Sequence, residues 1–282
     1  MNRYDIPLGA IEQQAVYKRV GEHELHMSFL PPAQQKHGRA PVYLTLPGGG
    51  WHSTSHTAML GFSRLSIDKL RKRGWAVATA SYRVTPHATI DEIISDCMDA
   101  GRYLRRFARE LGIDPHRIFT SGHSAGGHLA LMLSHAPHAD FAADSPFDAV
   151  ADDFTVVGCA PMSPPTVLYA DETGYCPVNF DFDRLFKGGV YDLAAAHRAS
   201  PIDYISSASV PTLLFCGTHD TLVYPDNSTL FCERSRKLGA PCELIRSQTG
   251  GHCFESMVQD VPSSPDMRDV QQYISDFAKQ FE

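Results

Sequence analysis

The sequence predicts an α/β fold with a mostly parallel central sheet that helices cover on both faces. Two observations predict this class. Short apolar segments alternate with longer amphipathic ones along most of the chain, which is typical of parallel strands joined by helical crossovers. Glycine-rich stretches also follow two of the apolar segments directly, at 48–50 and 122–126. Glycine there permits the tight turns at which strands of such sheets end.

Composition limits what the protein can be. The 282 residues contain no repeat, linker or low-complexity segment, so we expect one domain over 1–282. A formal charge of -7 argues against a nucleic-acid partner. No apolar run is long enough to span a membrane, and Met1–Pro7 lacks the apolar core of a secretory signal. The seven scattered cysteines indicate reduced thiols and a cytoplasmic location.

The first half of the chain opens with two segments of alternating polarity that predict an antiparallel edge of the sheet. Apolar segments then predict strands, and segments with helical spacing predict helices, one of which Gly74 stops. In order, we expect strands over 15–20, 24–30, 41–46 and 75–81, and helices over 62–73 and 90–111.

The second half continues the alternation, with one interruption. Strands are predicted over 117–119, 154–160, 211–217 and 242–246, helices over 129–133, 231–238 and 269–281, and a loop over 135–153. Segment 161–200 breaks the pattern with prolines, aspartates and aromatic residues. Its aromatic residues argue against disorder, so we expect a small cap insertion that contributes substrate contacts.

The Gly-His-Ser-Ala-Gly motif at 122–126 lies between a predicted strand and a predicted helix. This pattern is typical of a sharp turn that exposes a nucleophilic serine. Gly122 and Gly126 lack side chains, so strand and helix can approach closely. The start of the helix also directs free N–H groups and a positive dipole end towards the serine. Ser124 is therefore the predicted nucleophile.

A serine hydroxyl is a weak nucleophile, so it needs a base and a group that orients the base. Asp220 and His252 each follow a predicted strand and complete the order Ser, Asp, His. Asp220 is preferred because it stands where its strand ends. The residues that compete for these two roles are Asp203 and Asp226 for the carboxylate and His52, His56, His123 and His128 for the base.

The stretch Pro47-Gly-Gly-Gly-Trp51 follows a predicted buried strand. Its glycines leave backbone N–H groups open to a ligand. A phosphate-binding loop is not indicated, because no Gly-Lys-Ser/Thr follows. An oxyanion hole is the better interpretation. Trp51 is either a flat wall for a sugar or aromatic ring or a residue of the core.

Together these motifs resemble the α/β-hydrolases, in particular the esterase/lipase group with an H-G-G-G motif. The resemblance covers the chain from about residue 38 and implies an α/β-hydrolase fold. It also implies Ser124, Asp220 and His252 as the catalytic triad, with the oxyanion hole formed by the N–H groups of Gly49, Gly50 and Ala125. The stretches that carry it are Pro47–Trp51, Ser81–Pro86, Asp114–Ala130, Gly217–Asp220 and Gly250–His252.

One position departs from this pattern, since Pro47 stands where the group usually has histidine. Proline fixes φ and can stiffen the loop in another way. The predicted function is a serine carboxylesterase for short-chain acyl esters, for example acetyl groups on carbohydrate, without metal or cofactor. Trp51 and His123 are candidate contacts to this small-molecule ester.

Two other functions stay open: an amidase of the arylformamidase type, and a non-catalytic ligand-binding module on a hydrolase scaffold. A peptidase of the prolyl-oligopeptidase kind is disfavoured, because its large N-terminal propeller is missing. The oligomeric state is also open, a homodimer included.

Overall fold

A sheet of eight strands organises the chain in the computed structural model, which describes residues 13–142 and 144–282. The strands are β1 (Gln13–Val20), β2 (His23–Leu30), β3 (Ala40–Leu46), β4 (Ala76–Ala80), β5 (Ile113–His123), β6 (Val156–Met162), β7 (Thr212–Gly217) and β8 (Cys242–Ser247). Their order across the sheet is β1-β2-β4-β3-β5-β6-β7-β8. Strand β2 pairs antiparallel with both β1 and β4, and every other pair in the sheet is parallel, so the predicted sheet and its antiparallel edge are confirmed.

Helices cover both faces of the sheet, as predicted. They are α1 (His56–Phe62), α2 (Arg64–Lys72), α3 (Ile90–Arg106), α4 (Ala125–His135), α5 (Leu193–Arg198), α6 (Asp226–Leu238) and α7 (Met267–Phe277). One apolar core joins α1, α2 and α7 to one face of the sheet. Two others join α3, α4 and α6 to the opposite face. Strands β3, β4, β6 and β7 are buried on both faces, which explains their nearly continuous apolar sequences.

The helix predicted over 62–73 corresponds to α2, which begins at Arg64. The sequence did not predict the helix before it, α1, which ends at Phe62, so that a break at Ser63 separates the two. Gln271 of α7 stabilises the break. Its side-chain oxygen accepts hydrogen bonds from the N–H groups of Leu65 at 2.8 Å and Ser66 at 3.2 Å, and its amide donates to the Phe62 carbonyl at 2.8 Å. Helical spacing along the sequence could not reveal this break, because the residue that satisfies it lies about 200 positions away.

Other boundaries also differ from the prediction. Helix α3 ends at Arg106, before Leu111, because residues 107–112 form turns. Helix α6 begins at Asp226, five residues before the predicted start, directly after Pro225. The loop 135–153 contains a short 3₁₀ helix over 138–140. Within that loop Ala143 lies outside the described residues, as does Met1–Pro7, on which the signal-peptide prediction rests.

The candidate site lies at the end of the sheet where the parallel strands have their carboxyl termini. Strands β3, β5, β7 and β8 are parallel, so their carboxyl ends lie on the same side. The glycine loop, Ser124, Asp220 and His252 each follow one of these ends. Open α/β sheets bind ligands beyond the carboxyl ends of their strands. Among the described residues, no helix has the length and apolar character needed to cross a membrane.

Candidate active site

Ser124 lies in the turn between β5 and α4 with φ 57° and ψ -125°, a strained conformation for a residue with a side chain. Two glycines make this turn possible. A Cβ at Gly122 would collide with the backbone of Gly126, and one at Gly126 would collide with the Leu46 carbonyl. The Ser124 N–H donates to the Met162 carbonyl of β6 at 2.9 Å, which fixes the turn to the sheet.

Asp220 and His252 form a direct pair. The distance from Asp220 Oδ2 to His252 Nδ1 is 2.7 Å, and Asp220 is only 3% exposed. The other carboxylate oxygen accepts the N–H groups of Leu222 at 2.9 Å and Val223 at 3.0 Å. Because a carboxylate only accepts, His252 Nδ1 carries the proton and Nε2 of the neutral ring is left as an acceptor. His252 Nε2 is buried and has no hydrogen-bond partner among the described residues.

Ser124 and His252 line the same cavity, which has a volume of about 360 Å³. No hydrogen bond joins their side chains in the described part of the chain. Catalytic hydrogen bonds of this kind often tighten only when substrate binds. The other residues that line the cavity are Gly49, Gly50, Trp51, His52, His123, Pro165, Val178, Phe180, Leu222 and Val223.

The three predicted oxyanion donors are free of protein acceptors. Among the described residues, no hydrogen bond occupies the N–H of Gly49, Gly50 or Ala125. Gly49 has φ 125° and Gly50 has φ 58°, conformations that glycine adopts readily. Ala125 is the first residue of α4, so its N–H lies at the positive end of the helix dipole.

Tyr82 braces the glycine loop, a role that the sequence reasoning missed. Its hydroxyl donates to the Pro47 carbonyl at 2.7 Å, and the Thr85 N–H donates to the Trp51 carbonyl at 2.9 Å. Both ends of the loop are therefore fixed, although no histidine stands at position 47. Arg83 holds this segment through two bonds of 2.8 Å to the buried Asp96. In the sequence, the stretch Ser81–Pro86 was singled out only for its resemblance to the family, and nothing there indicated that it supports the glycine loop.

Trp51 lines the cavity but is only 2% exposed, so it is as much a core residue as a wall. Its indole N–H donates to His128 Nδ1 at 3.3 Å. His128 Nε2 in turn donates to the Ala199 carbonyl at 2.7 Å. Burial lowers the pKa of His128 to about 4, so the ring is neutral and serves to anchor Trp51.

His123 supports the segment that carries His252. Its Nε2 donates to the His252 carbonyl at 2.9 Å, and the Ser163 hydroxyl donates to the same oxygen at 3.0 Å. Burial, and then repulsion by the charged form of His252, lower the pKa of His123 to about 4. His123 is therefore neutral near pH 7 and reaches the cavity as an uncharged wall. Nothing in the sequence singled out Ser163.

The competing aspartates have other partners. Asp226 accepts the Tyr175 hydroxyl at 2.8 Å, and Asp203 contacts His197 Nδ1 at 2.8 Å. Neither lines the cavity.

Among the competing histidines, His56 stacks on His26 with ring centroids 6.3 Å apart, away from the cavity. His52 lines the cavity and stacks on Phe180 at the same centroid distance. The described residues include no cluster of three or more side chains that could hold a metal ion.

Comparison with known proteins gives the family. The model of the BD-FAE family matches residues 28–234. The chain belongs to the BD-FAE family. This BD-FAE protein is 28% identical over 234 residues to Esterase LipC of Mycobacterium tuberculosis, covering 77% of this chain and 53% of the relative. It is 28% identical over 231 residues to an acetylxylan esterase of Xylanibacter ruminicola, covering 80% and 42%.

Among solved structures, Thermogutta terrifontis esterase 2 with propionate bound superposes with a TM-score of 0.77. The two chains are 26% identical, and the match covers 98% of this chain and 94% of the other. The predicted α/β-hydrolase fold and the resemblance to esterases are thereby confirmed. The chain spans about half the length of the first curated relatives it matches.

Proposed function

We propose that this protein is a serine carboxylesterase that hydrolyses short-chain acyl esters through an acyl-enzyme. The observation that carries the proposal is the 2.7 Å pair of Asp220 and His252 at a cavity that Ser124 also lines. A binding module would not need a buried carboxylate behind the histidine. The similarity to esterases supports the same conclusion.

In the proposed reaction His252 Nε2 takes the Ser124 proton as Oγ attacks the ester carbonyl carbon. Asp220 keeps the proton on Nδ1 and stabilises the imidazolium. The N–H groups of Gly49, Gly50 and Ala125 bind the oxyanion, and each such donor contributes roughly 2.7–4 kcal/mol to transition-state stabilisation. His252 then protonates the departing alcohol, and water releases the acyl group from Ser124 by the same steps in reverse.

The substrate is a small ester in this proposal. A cavity of about 360 Å³ is at the lower end of ligand sites, which favours a short acyl group. The match to an acetylxylan esterase and to an esterase structure with bound propionate supports short acyl chains, acetyl on carbohydrate included. No metal or cofactor is needed for this chemistry.

An arylformamidase-type amidase is the second candidate. The rings of Trp51, His52 and Phe180 line the cavity and would suit an aromatic amine. The same triad performs amide hydrolysis. Turnover of N-formylkynurenine at a rate above that of acetyl esters would favour this candidate over the first.

We further propose that the chain is one domain and that the predicted insertion 161–200 acts as a cap, although its first two residues belong to β6, so that the cap itself begins at Ser163. Pro165, Val178 and Phe180 of this segment line the cavity, and Val178 pairs with Val223 beside Asp220. All proposed site residues come from one chain. The seven cysteines form no disulfide, which supports a cytoplasmic location.

The test compares p-nitrophenyl acetate hydrolysis by the wild type with that by Ser124→Ala and by Ser206→Ala, an exposed serine outside the site. We expect Ser124→Ala to lose several orders of magnitude in kcat and Ser206→Ala to retain the wild-type rate. Equal rates in all three proteins would show that Ser124 is not the nucleophile. If the wild type itself hydrolyses neither this ester nor N-formylkynurenine, the proposed function is wrong.

A further inference from the structure

A second cleft, of about 440 Å³, lies at the amino-terminal ends of the parallel strands, on the opposite side of the sheet from the candidate active site. It forms where the adjacent parallel strands β4, β3 and β5 begin, and Ala40, Trp75 and Gly112 line it there. Strand β3 spans seven residues between the two sites, which corresponds to about 23 Å at roughly 3.3 Å per residue. A ligand in this cleft cannot touch an ester bound at Ser124.

The cleft is strongly basic although the chain is acidic. Its lining contains five cationic side chains but a single acidic side chain, that of Glu282, whereas the whole chain has a formal charge of -7. Such a local reversal of charge concentrates anions at this one place on the surface. The cationic residues are Lys36, Arg39, Arg73, Arg109 and Arg117.

Hydrogen-bond donors in the cleft outnumber their acceptors. The side chains of Arg39 and Arg109 have no partner among the described residues. Glu282 accepts from Arg73 Nε, yet Arg73 Nη2 is buried without a partner. The indole N–H of Trp75 is likewise buried and unpaired. Buried donors are normally satisfied, so both groups could still accept a hydrogen-bonding partner, while the side chains of Arg39 and Arg109 leave two positive charges of the cleft unpaired.

The walls of the cleft are fixed by backbone contacts. Arg71 Nε donates to the Pro31 carbonyl at 2.8 Å, and the Ala33 N–H donates to the Arg71 carbonyl at 3.0 Å. Arg117 Nη2 donates to the Arg39 carbonyl at 2.7 Å while its Nε pairs with Asp114 at 2.9 Å. The segment that carries Lys36 and Arg39 is therefore held in place before any ligand arrives, which lowers the entropy cost of binding.

We propose that this cleft binds a small organic phosphate. Arginine guanidinium groups bond two phosphate oxygens at once, and several free guanidinium donors suit a ligand with more than one negative charge. Pro32, Pro41 and Leu111 provide apolar walls for the organic part. The proposal is independent of the esterase reaction, because none of these residues lines the cavity at Ser124.

Isothermal titration with inorganic pyrophosphate at low ionic strength tests the proposal. The variant Arg39→Ala/Arg109→Ala removes two cationic side chains of the cleft that have no hydrogen-bond or ion-pair partner among the described residues. Arg234→Ala/Lys237→Ala removes the same charge from exposed positions of α6 and serves as the matched control. We expect saturable binding to the wild type, at least tenfold weaker binding to the cleft variant, and an unchanged Kd in the control.

Citrate, titrated in parallel, separates phosphate recognition from general attraction of anions. We expect citrate to bind more weakly than pyrophosphate. The proposal is overturned if neither probe binds the wild type saturably, if both variants lose affinity equally, or if citrate binds more tightly. Thermal unfolding of each variant shows whether a loss of binding reflects a loss of folded protein, and pyrophosphate should raise the Tm of the wild type and the control only.

Discussion

At the residue scale, the candidate site depends on one buried carboxylate. Asp220 contacts His252 Nδ1 through one oxygen and two backbone N–H groups through the other, so its position is defined from both sides. The sequence proposed this residue because it follows a strand, completes the order Ser, Asp, His and belongs to a stretch that resembles the family. The structure adds the reason why Asp226 does not compete, since that carboxylate starts helix α6 and accepts from Tyr175.

Asp220→Asn should lower kcat for p-nitrophenyl acetate by about 10³- to 10⁴-fold. An amide can donate to His252 Nδ1 and so favours the tautomer whose Nε2 already carries a proton. Such a ring cannot accept the Ser124 proton. The measurement is kcat at pH 7.5 for Asp220→Asn beside its control, Asp226→Asn, which should keep more than half of the wild-type rate. The reverse order of the two rates would assign the carboxylate role to Asp226.

At the scale of elements, other contacts hold the loop 47–51 in place although the histidine usual at position 47 is missing. The group that the sequence resembles usually has histidine where this chain has Pro47. Here the loop is tied through backbone carbonyls, one to the Tyr82 hydroxyl and one to the Thr85 N–H. The sequence placed the loop after its strand correctly, but it could not show that the segment 81–86 packs across the loop.

Tyr82→Phe should lower kcat about tenfold and change KM little. The substitution leaves the buried Pro47 carbonyl without a donor, at a cost of about 1–3 kcal/mol, and loosens the N–H groups that would bind the oxyanion. Tyr43→Phe is the matched control, because Tyr43 is a buried tyrosine of β3 whose hydroxyl makes no hydrogen bond to the glycine loop in the described residues. The measurement is kcat and KM of both variants from steady-state kinetics. Equal kcat values for Tyr82→Phe and the wild type would remove Tyr82 from the positioning residues.

At the scale of the whole molecule, two neutral histidines, His123 and His128, are buried beside the site. Burial holds the pKa of both His123 and His128 near 4, below the ordinary value of about 6.5. The unfolded chain therefore binds protons at a higher pH than the folded chain does. Stability from these residues is complete above about pH 6.5 and is lost as the pH falls towards 4.

The free energy of unfolding should accordingly decrease between pH 7 and pH 4.5, by on the order of 2–3 kcal/mol for each histidine. Urea unfolding at several pH values measures this. His128→Gln should be less stable at pH 7 yet lose less stability on acidification, whereas the exposed His87→Gln should follow the wild type. A decrease of the same size in His128→Gln would show that His128 takes up no proton on unfolding.

The sequence alone determined the class of fold, the strand–turn–helix at Ser124 and the order of the predicted triad. It could do so because apolar periodicity and glycine at tight turns are local properties of the chain. The tertiary structure decided what depends on distant partners: the break between α1 and α2 that Gln271 satisfies, the support of His252 by His123 and Ser163, and the tie from Tyr82 to Pro47. These contacts join residues about 35 to 210 positions apart, and no local pattern encodes them.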